Sequence, residues 1–218
     1  MILMSAITAA PVLDYLAAHS QPPHVFLDAI AADGRHRRLP IVHAATGALL
    51  HALTRTTGAM RVLEIGTAIG YSALWIASAL PPGGMLITLE REQARATAAR
   101  AHLVAAGVAD QVSVMVGDAG RYLHKVAGPF DLIFQDGDKT QYSPMFDRLV
   151  ELLRPGGTLV TDNILWSGEV VPGYVTTPEH DLADTAAIAT YNQKITSDPR
   201  VFTTLLPIGD GVAVTVKR

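Results

Sequence analysis

Two short stretches hold the residues best suited to chemistry. DLIFQDGDK, residues 131–139, carries an apolar run straight into Asp136, Asp138 and Lys139. TLVTDN, residues 158–163, ends in Asp162 and Asn163. If the two apolar runs are neighbouring strands, Asp136, Asp162 and Asn163 converge. Two carboxylates and an amide carbonyl, with no histidine or cysteine, make a hard oxygen set suited to Mg2+, or to Mn2+ or Ca2+. Acids on adjacent strand ends repel one another unless a cation compensates. Lys139 follows Asp136 by three residues, at the start of the next helix, and beside a divalent cation it suits a general base. Plainer alternatives are a turn at Asp162 and Asn163, a cap at Asp136, and a surface lysine paired with Asp138. Asp138 itself either orients Lys139 or only opens the next helix.

A second group lies earlier. In LEIGTAIGYS, residues 63–72, Gly66 and Gly70 allow a tight strand-to-helix turn and close backbone approach to a ligand. Their G-x-x-x-G spacing departs from the G-x-G-x-x-G of dinucleotide-binding turns, which disfavours a nicotinamide oxidoreductase. Glu90 comes 24 residues after Gly66 and ends the run MLITLE, where a carboxylate can accept both hydroxyl protons of a ribose. Asp118 and Ala119 end QVSVMVGDA, where an adenine edge would lie. Taken singly, Glu90 is explained as well by a first-turn acid of the following helix. Three successive strand ends, each suited to part of one nucleoside, favour a nucleoside-bearing ligand.

The elements that must position these residues read as an alternation. Strands are expected at 61–66, 85–90, 111–118, 131–136 and 158–163, and helices at 72–80, 91–107, 143–157 and near 179–197, with a short one over GRYLHKV. The helix at 143–157 is expected to end at its Pro-Gly-Gly. VFTTLLPI, the turn GDG and VAVTVKR form a C-terminal hairpin. The expectation is an α/β, Rossmann-like, doubly wound seven-stranded sheet, mostly parallel with an antiparallel C-terminal hairpin strand and helices on both faces. Residues 1–218 form a single domain, with 1–40 an N-terminal helical extension (helices near 8–19 and 23–33) and 41–218 the cofactor-binding core.

Composition narrows the function classes. A hydrophobic fraction of 49% and a charged fraction of 17% describe a compact chain with ample core. A net charge of −3 gives no general attraction to nucleic acid or anionic membrane. The one basic cluster, GRHRRLP at 34–40, reads as a solvated loop. Cysteine is absent, which excludes disulfides and thiolate metal sites. The N-terminal stretch MILMSAITAAPVLDYL reads poorly as a secretion leader, and no apolar run approaches the ~18–20 residues of a membrane span. A cytoplasmic protein is the expectation.

LEIGTAIGYSALWIASALPPGG, FDLIFQDGDKTQYSPMFDRLVELLRPGG and LVTDNILWSGEV resemble the cation-dependent class I S-adenosylmethionine (SAM) O-methyltransferases, the catechol and caffeoyl-CoA O-methyltransferases and small bacterial relatives among them. The likeness runs from about Pro40 to the C-terminus, and the first 40 residues match only loosely. It implies that Glu64, Gly66 and Ser72, with backbone around Val42, hold the methionine part of SAM, that Glu90 binds the ribose, and that Asp118 and Ala119 border the adenine. It further implies that Asp136, Asp162 and Asn163 ligate the cation and that Lys139 is the base. Asp210 would face the acceptor and Trp166 would line its pocket, unless that indole is plain core. Ser167 stands where plant members carry the asparagine of LWNG, which departs from their phenylpropanoid-CoA pattern. The implied partners are a catechol-like small molecule and a second copy of the chain. Rival readings are methylation of a hydroxylated uridine in tRNA, with GRHRRLP on phosphate, and a non-catalytic SAM-binding module.

Overall fold

The computed structural model describes residues 10–19, 21–175 and 177–218. Among them, strands β1 (Arg61–Ile65), β2 (Met85–Glu90), β3 (Val112–Val116), β4 (Phe130–Gln135), β5 (Leu153–Asp162), β6 (Val201–Leu206) and β7 (Val212–Lys217) form one sheet in the order β3-β2-β1-β4-β5-β7-β6. β1 to β5 run parallel, and β7 lies antiparallel between β5 and β6. The expected sheet is therefore the observed one. Successive crossovers run outward from β1 to β3 and then return to β4 on the other side of β1. That reversal makes the carboxyl ends of β1 and β4 the switch point of the sheet, the place where such sheets bind ligands.

Helices α1 (Ala10–His19), α2 (Phe26–Arg37), α3 (Ala44–Thr56), α4 (Tyr71–Ala77), α5 (Gln93–Ala105), α6 (Ala119–Leu123), α7 (Tyr142–Leu152) and α8 (Leu182–Ser197) complete the order of elements. The strands are apolar on both sides, and period-two alternation divides their side chains between two cores. Val62, Leu86, Leu132, Phe134 and Val160 pack with Leu50, Leu74 and Trp75 on one side. Leu63, Ile65, Ile133 and Leu159 pack with Phe146, Leu149 and Tyr191 on the other. β1, β4 and β5 are thereby clamped from above and below, and their last residues become rigid mounts.

Four local features differ from the sequence reading. α7 stops at Leu152, and β5 begins at Leu153 instead of residue 158, with a register shift between Phe130 and Leu132. The residue before a proline is biased to extended backbone, and Arg154 is further held by a 2.6 Å bond from its Nε to Asp131 Oδ1. α3 was not expected, because Gly47 and several threonines weaken its helical pattern. Tertiary packing overrides that, since a side chain at Gly47 would collide with the Trp75 indole. α2 runs from Phe26 to Arg37, later than the expected 23–33, and Leu27 and Ile30 are fully buried in the same cluster as Leu74 and Trp75. The expected helix at 8–19 falls partly outside the described residues, and its described part is α1. Lastly, the basic cluster is mostly no loop. Arg35, His36 and Arg37 form the last turn of α2, where cations complement the helix dipole, and Arg37 pairs with Asp33 at 2.8 Å. No helix among the described residues is long and apolar enough to cross a membrane.

Phe146 is fully buried between α7 and the sheet. Phe146→Ala is expected to lower the unfolding free energy by about 3–5 kcal/mol in urea denaturation, the range for deleting a buried aromatic side chain.

Candidate active site

At the end of β1 the chain turns at Gly66 (φ 98°) and Gly70 (φ 90°), conformations that favour glycine. A Cβ at Gly66 would overlap the Asp136 carbonyl oxygen, so this glycine lets β1 and β4 close up at the switch point. Glu64 is fully buried. Its Oε2 accepts a 2.5 Å bond from Thr88 Oγ1, whereas its Oε1 has no hydrogen-bond partner. Burial pushes this carboxyl up to about 7, against the opposing pull of nearby Ser72 and Thr88. An orphaned oxygen on a buried acid is costly unless something satisfies it. Val42 and Ser72, the other residues expected at this end of the site, are both buried.

Glu90 differs. Its Oε2 accepts from Ala68 N at 2.8 Å and its Oε1 from Glu92 N at 2.9 Å. Each oxygen thus keeps one lone pair to offer. Asp118 caps α6, accepting from Arg121 N at 3.0 Å and from Gln141 Nε2 at 3.2 Å, and the Gln141 and Arg121 bonds hold its carboxyl below the usual range. Ala119 opens that helix beside it. Asp118 is therefore the N-cap of α6, just beyond the end of β3.

The other half of the site centres on Lys139. Its Nζ donates to Asp136 Oδ1 at 2.8 Å, to Asn163 Oδ1 at 2.7 Å and to Tyr142 Oη at 2.8 Å. Strand pairing brings β4 and β5 side by side, and Asp136 and Asp162 follow directly from that register. Asp162 is buried, and burial, then the Asp136 charge, pushes its carboxyl up. Its Oδ1 accepts from the Asn163 backbone N–H at 2.9 Å. Tyr142 is fully buried, with its phenol held protonated by burial and by the charges of Asp136 and Asp162, and it donates to the Asp162 carbonyl at 3.2 Å. Asp138 turns away from Lys139. It caps the turn at 139–141 through Thr140 and lies 3.7 Å from Arg91.

Beyond β5 the chain adopts left-handed backbone at Asn163 (φ 60°), Trp166 (φ 49°) and Ser167 (φ 53°). Asp210, in the β6–β7 turn, accepts from Ser167 N at 2.6 Å and from Asn163 Nδ2 at 3.4 Å. Trp166 lies with its ring centroid 4.1 Å from that of His180, and Lys139 Nζ is 5.8 Å from its centroid. Its Nε1 is buried with no partner. Glu169 ties this loop to the start of α8, accepting from Glu179 N, His180 Nδ1 and Thr185 Oγ1 at 2.7–3.1 Å.

Several contributors escaped the sequence reading. Tyr142 stands three residues after Lys139 in KTQY, a helical spacing that signals contact. Thr88 is the cross-strand neighbour of Glu64, and that pairing exists only once the register is known. Glu169 and His180 lie in a loop without periodicity, and nothing in their spacing announces them.

Residues 18–218 match a protein family described as O-methyltransferase. Among relatives, a catechol O-methyltransferase of Niastella koreensis is 40% identical over 61% of this chain and 62% of its own length. A catechol O-methyltransferase of Mycobacterium tuberculosis is 40% identical over 67% of this chain and 64% of its own. The match thus spans less than two thirds of either relative. Among solved structures, the O-methyltransferase TomG of Streptomyces achromogenes, in complex with SAM, superposes with a TM-score of 0.83 at 33% identity, covering 95% of this chain and 96% of that one. An O-methyltransferase of Bacillus cereus, in complex with SAH (S-adenosylhomocysteine), gives 0.84 at 30% identity over 95% and 97%.

Glu64 makes stability depend on pH in a definite direction. Its carboxyl ionises near 4.5 when unfolded and about 7 when folded, so folding favours the protonated form. That contribution is complete below about pH 4.5 and is lost as pH rises through 7. Glu64→Gln is expected to remove a fall of about 3 kcal/mol in unfolding free energy across this window. Urea titrations at pH 5 and pH 8 measure it, and an identical fall in the variant would exclude Glu64 as its source.

Proposed function

The chain belongs to the O-methyltransferase family, and from that membership we propose that it transfers the methyl group of SAM to one hydroxyl of a vicinal dihydroxy, catechol-like acceptor, with a divalent cation, Mg2+ foremost, as cofactor. The observation that carries the reading is the pair of bonds, 2.8 and 2.7 Å, by which Asp136 and Asn163 hold one cationic nitrogen, with the Asp162 carboxyl buried alongside. These oxygens already form a place for positive charge. No cluster of three or more His, Cys, Asp or Glu residues arranged for a metal occurs among the described residues, so the proposed donor set depends on the Asn163 amide. Asp136, Asp162 and Asn163 would be its ligands. A bound divalent cation would supply Lewis acidity toward the acceptor hydroxyl and a template for two adjacent oxygens.

SAM fits the other half by the chemistry of its donors. The partnerless Glu64 Oε1 suits the ammonium of the methionine part, and Ser72 and backbone near Val42 would complete its hold. The spare lone pairs of Glu90 suit two ribose hydroxyls, and Gly66 and Gly70 leave room for close approach. Asp118 and Ala119 would border the adenine, beside a cleft of about 300 Å³ that Gly120, Gln141 and Met145 help to line. SAM supplies an electrophilic methyl, and the chain must present an oxygen nucleophile in line with it. A phenol ionises near 10, so the enzyme must remove its proton. As a neutral amine, Lys139 Nζ has two N–H donors and a lone pair. It can keep two of its three partners and take the acceptor proton. The unsatisfied Trp166 N–H, with Ser167 and Asp210 adjacent, suits the wall of a pocket for an oxygen-bearing ring.

The test is an acceptor panel with labelled SAM, with and without EDTA. Catechols should be methylated, isolated phenols poorly, and chelation should abolish turnover until Mg2+ is restored. Undiminished turnover in EDTA would sink the cation assignment, and SAH binding without any methyl transfer would favour a non-catalytic module. Lys139→Met should lower kcat by about 10²–10⁴-fold, the scale of a lost general base, with calorimetric SAH affinity unchanged. Asp162→Ala should abolish cation-dependent turnover and likewise leave SAH affinity in place.

A further inference from the structure

The amide of Asn163 raises a question that its neighbours Asp136 and Asp162 do not. A carboxylate offers oxygen whichever way it turns, whereas a carboxamide offers oxygen at one end and N–H donors at the other, with nearly the same shape. For Asn163 to face a cation, something must stop it from flipping. Lys139 cannot do so once a cation takes over the role its ammonium plays.

Asp210 lies on the other side of that amide. Its Oδ2 faces Asn163 Nδ2 at 3.4 Å, and its Oδ1 accepts the Ser167 backbone N–H at 2.6 Å. Its backbone carbonyl accepts from Leu165 N at 3.0 Å, and the next carbonyl, of Gly211, accepts from Ile164 N at 3.1 Å. The β6–β7 turn thus grips the segment 163–167 at four points. That segment contains the three left-handed residues Asn163, Trp166 and Ser167, a conformation costly for residues with a Cβ and kept only where surroundings impose it. Both oxygens of the Asp210 carboxyl accept here, so it is the NH2 end of Asn163 that meets it. The amide oxygen is then turned the other way, where Lys139 Nζ lies at 2.7 Å.

We propose that Asp210 is a positioning residue that fixes the flip of the Asn163 amide, so that Oδ1 and not Nδ2 faces the cation position. The inference rests on the cation reading of Asp136, Asp162 and Asn163. It assigns Asp210 a task distinct from contact with the acceptor.

Mn2+ binding to the full chain, followed by electron paramagnetic resonance or calorimetry, tests this without reference to turnover. Asp210→Asn puts an NH2 group opposite Asn163 and permits the wrong flip. It should weaken Mn2+ binding about 10–100-fold, the usual effect of losing a group that orients a ligand, with SAH affinity intact. Adding Asn163→Asp should restore binding, because a carboxylate has no wrong end, and the double exchange conserves total charge. Should Asp210→Asn lose SAH affinity and hence its fold, Asp210→Ser replaces it, its hydroxyl being too short to reach the amide, and the same loss and rescue are expected. Wild-type Mn2+ affinity in Asp210→Asn, with only the acceptor KM raised, would overturn the proposal. So would weakened binding that Asn163→Asp fails to rescue. Absence of Mn2+ binding in the wild-type chain would overturn the cation reading itself, and the positioning role with it.

Discussion

Negative and amide oxygens from two adjacent strand ends meet at one point, and a positive charge makes that meeting stable. Asp136 ends β4, Asp162 ends β5, and Asn163 follows with left-handed backbone. Burial and mutual repulsion both act against ionising the Asp162 carboxyl. The Lys139 ammonium answers this by donating to Asp136, Asn163 and Tyr142 at once. Charge sets that cost energy to assemble cluster at functional sites.

The scaffold around that point is built to keep it from relaxing. β4 and β5 are packed on both faces, so neither strand end can swing outward to separate its charges. Tyr142 sits fully buried behind Lys139 and bridges it to the Asp162 carbonyl. Tyr191 packs edge-on against Tyr142 at 5.3 Å and bonds to Thr161 and Gln135. The polar chain behind the lysine is thus anchored in the second core, and fixed geometry is what transfer between two bound groups requires.

The two buried glutamates at the opposite end divide the labour differently. Glu90 is satisfied by two backbone N–H groups and stays pre-oriented. Glu64 is left half-satisfied, with a carboxyl raised to about 7, so it gains most from a cationic neighbour. A cofactor with an ammonium at one end and a ribose toward the other suits this asymmetry. The loop after β5 adds the third side, where Asp210 and Glu169 hold Trp166 and His180 in place.

The sheet could be read from the chain because each strand is a short apolar run ended by a polar residue or glycine, and parallel strands buried on both faces tolerate little else. The same rule exposed Glu90, Asp118, Asp136, Asp162 and Asn163, since polar residues at the tips of such strands stand out by type alone. The helix α3 and the early end of α7 could not be read this way, for there packing against Trp75 and the Arg154–Asp131 bond outweighed local pattern. Nor could the sequence say which acids share a partner. That Asp138 caps a turn, that Glu64 Oε1 is orphaned, and that Asp210 lies beside the Asn163 amide are matters of distance between residues up to 47 positions apart. Residue type and spacing determined what chemistry the strand ends carry. The register of β1, β4, β5 and β7, set by burial over the whole sheet, decided which of those groups meet.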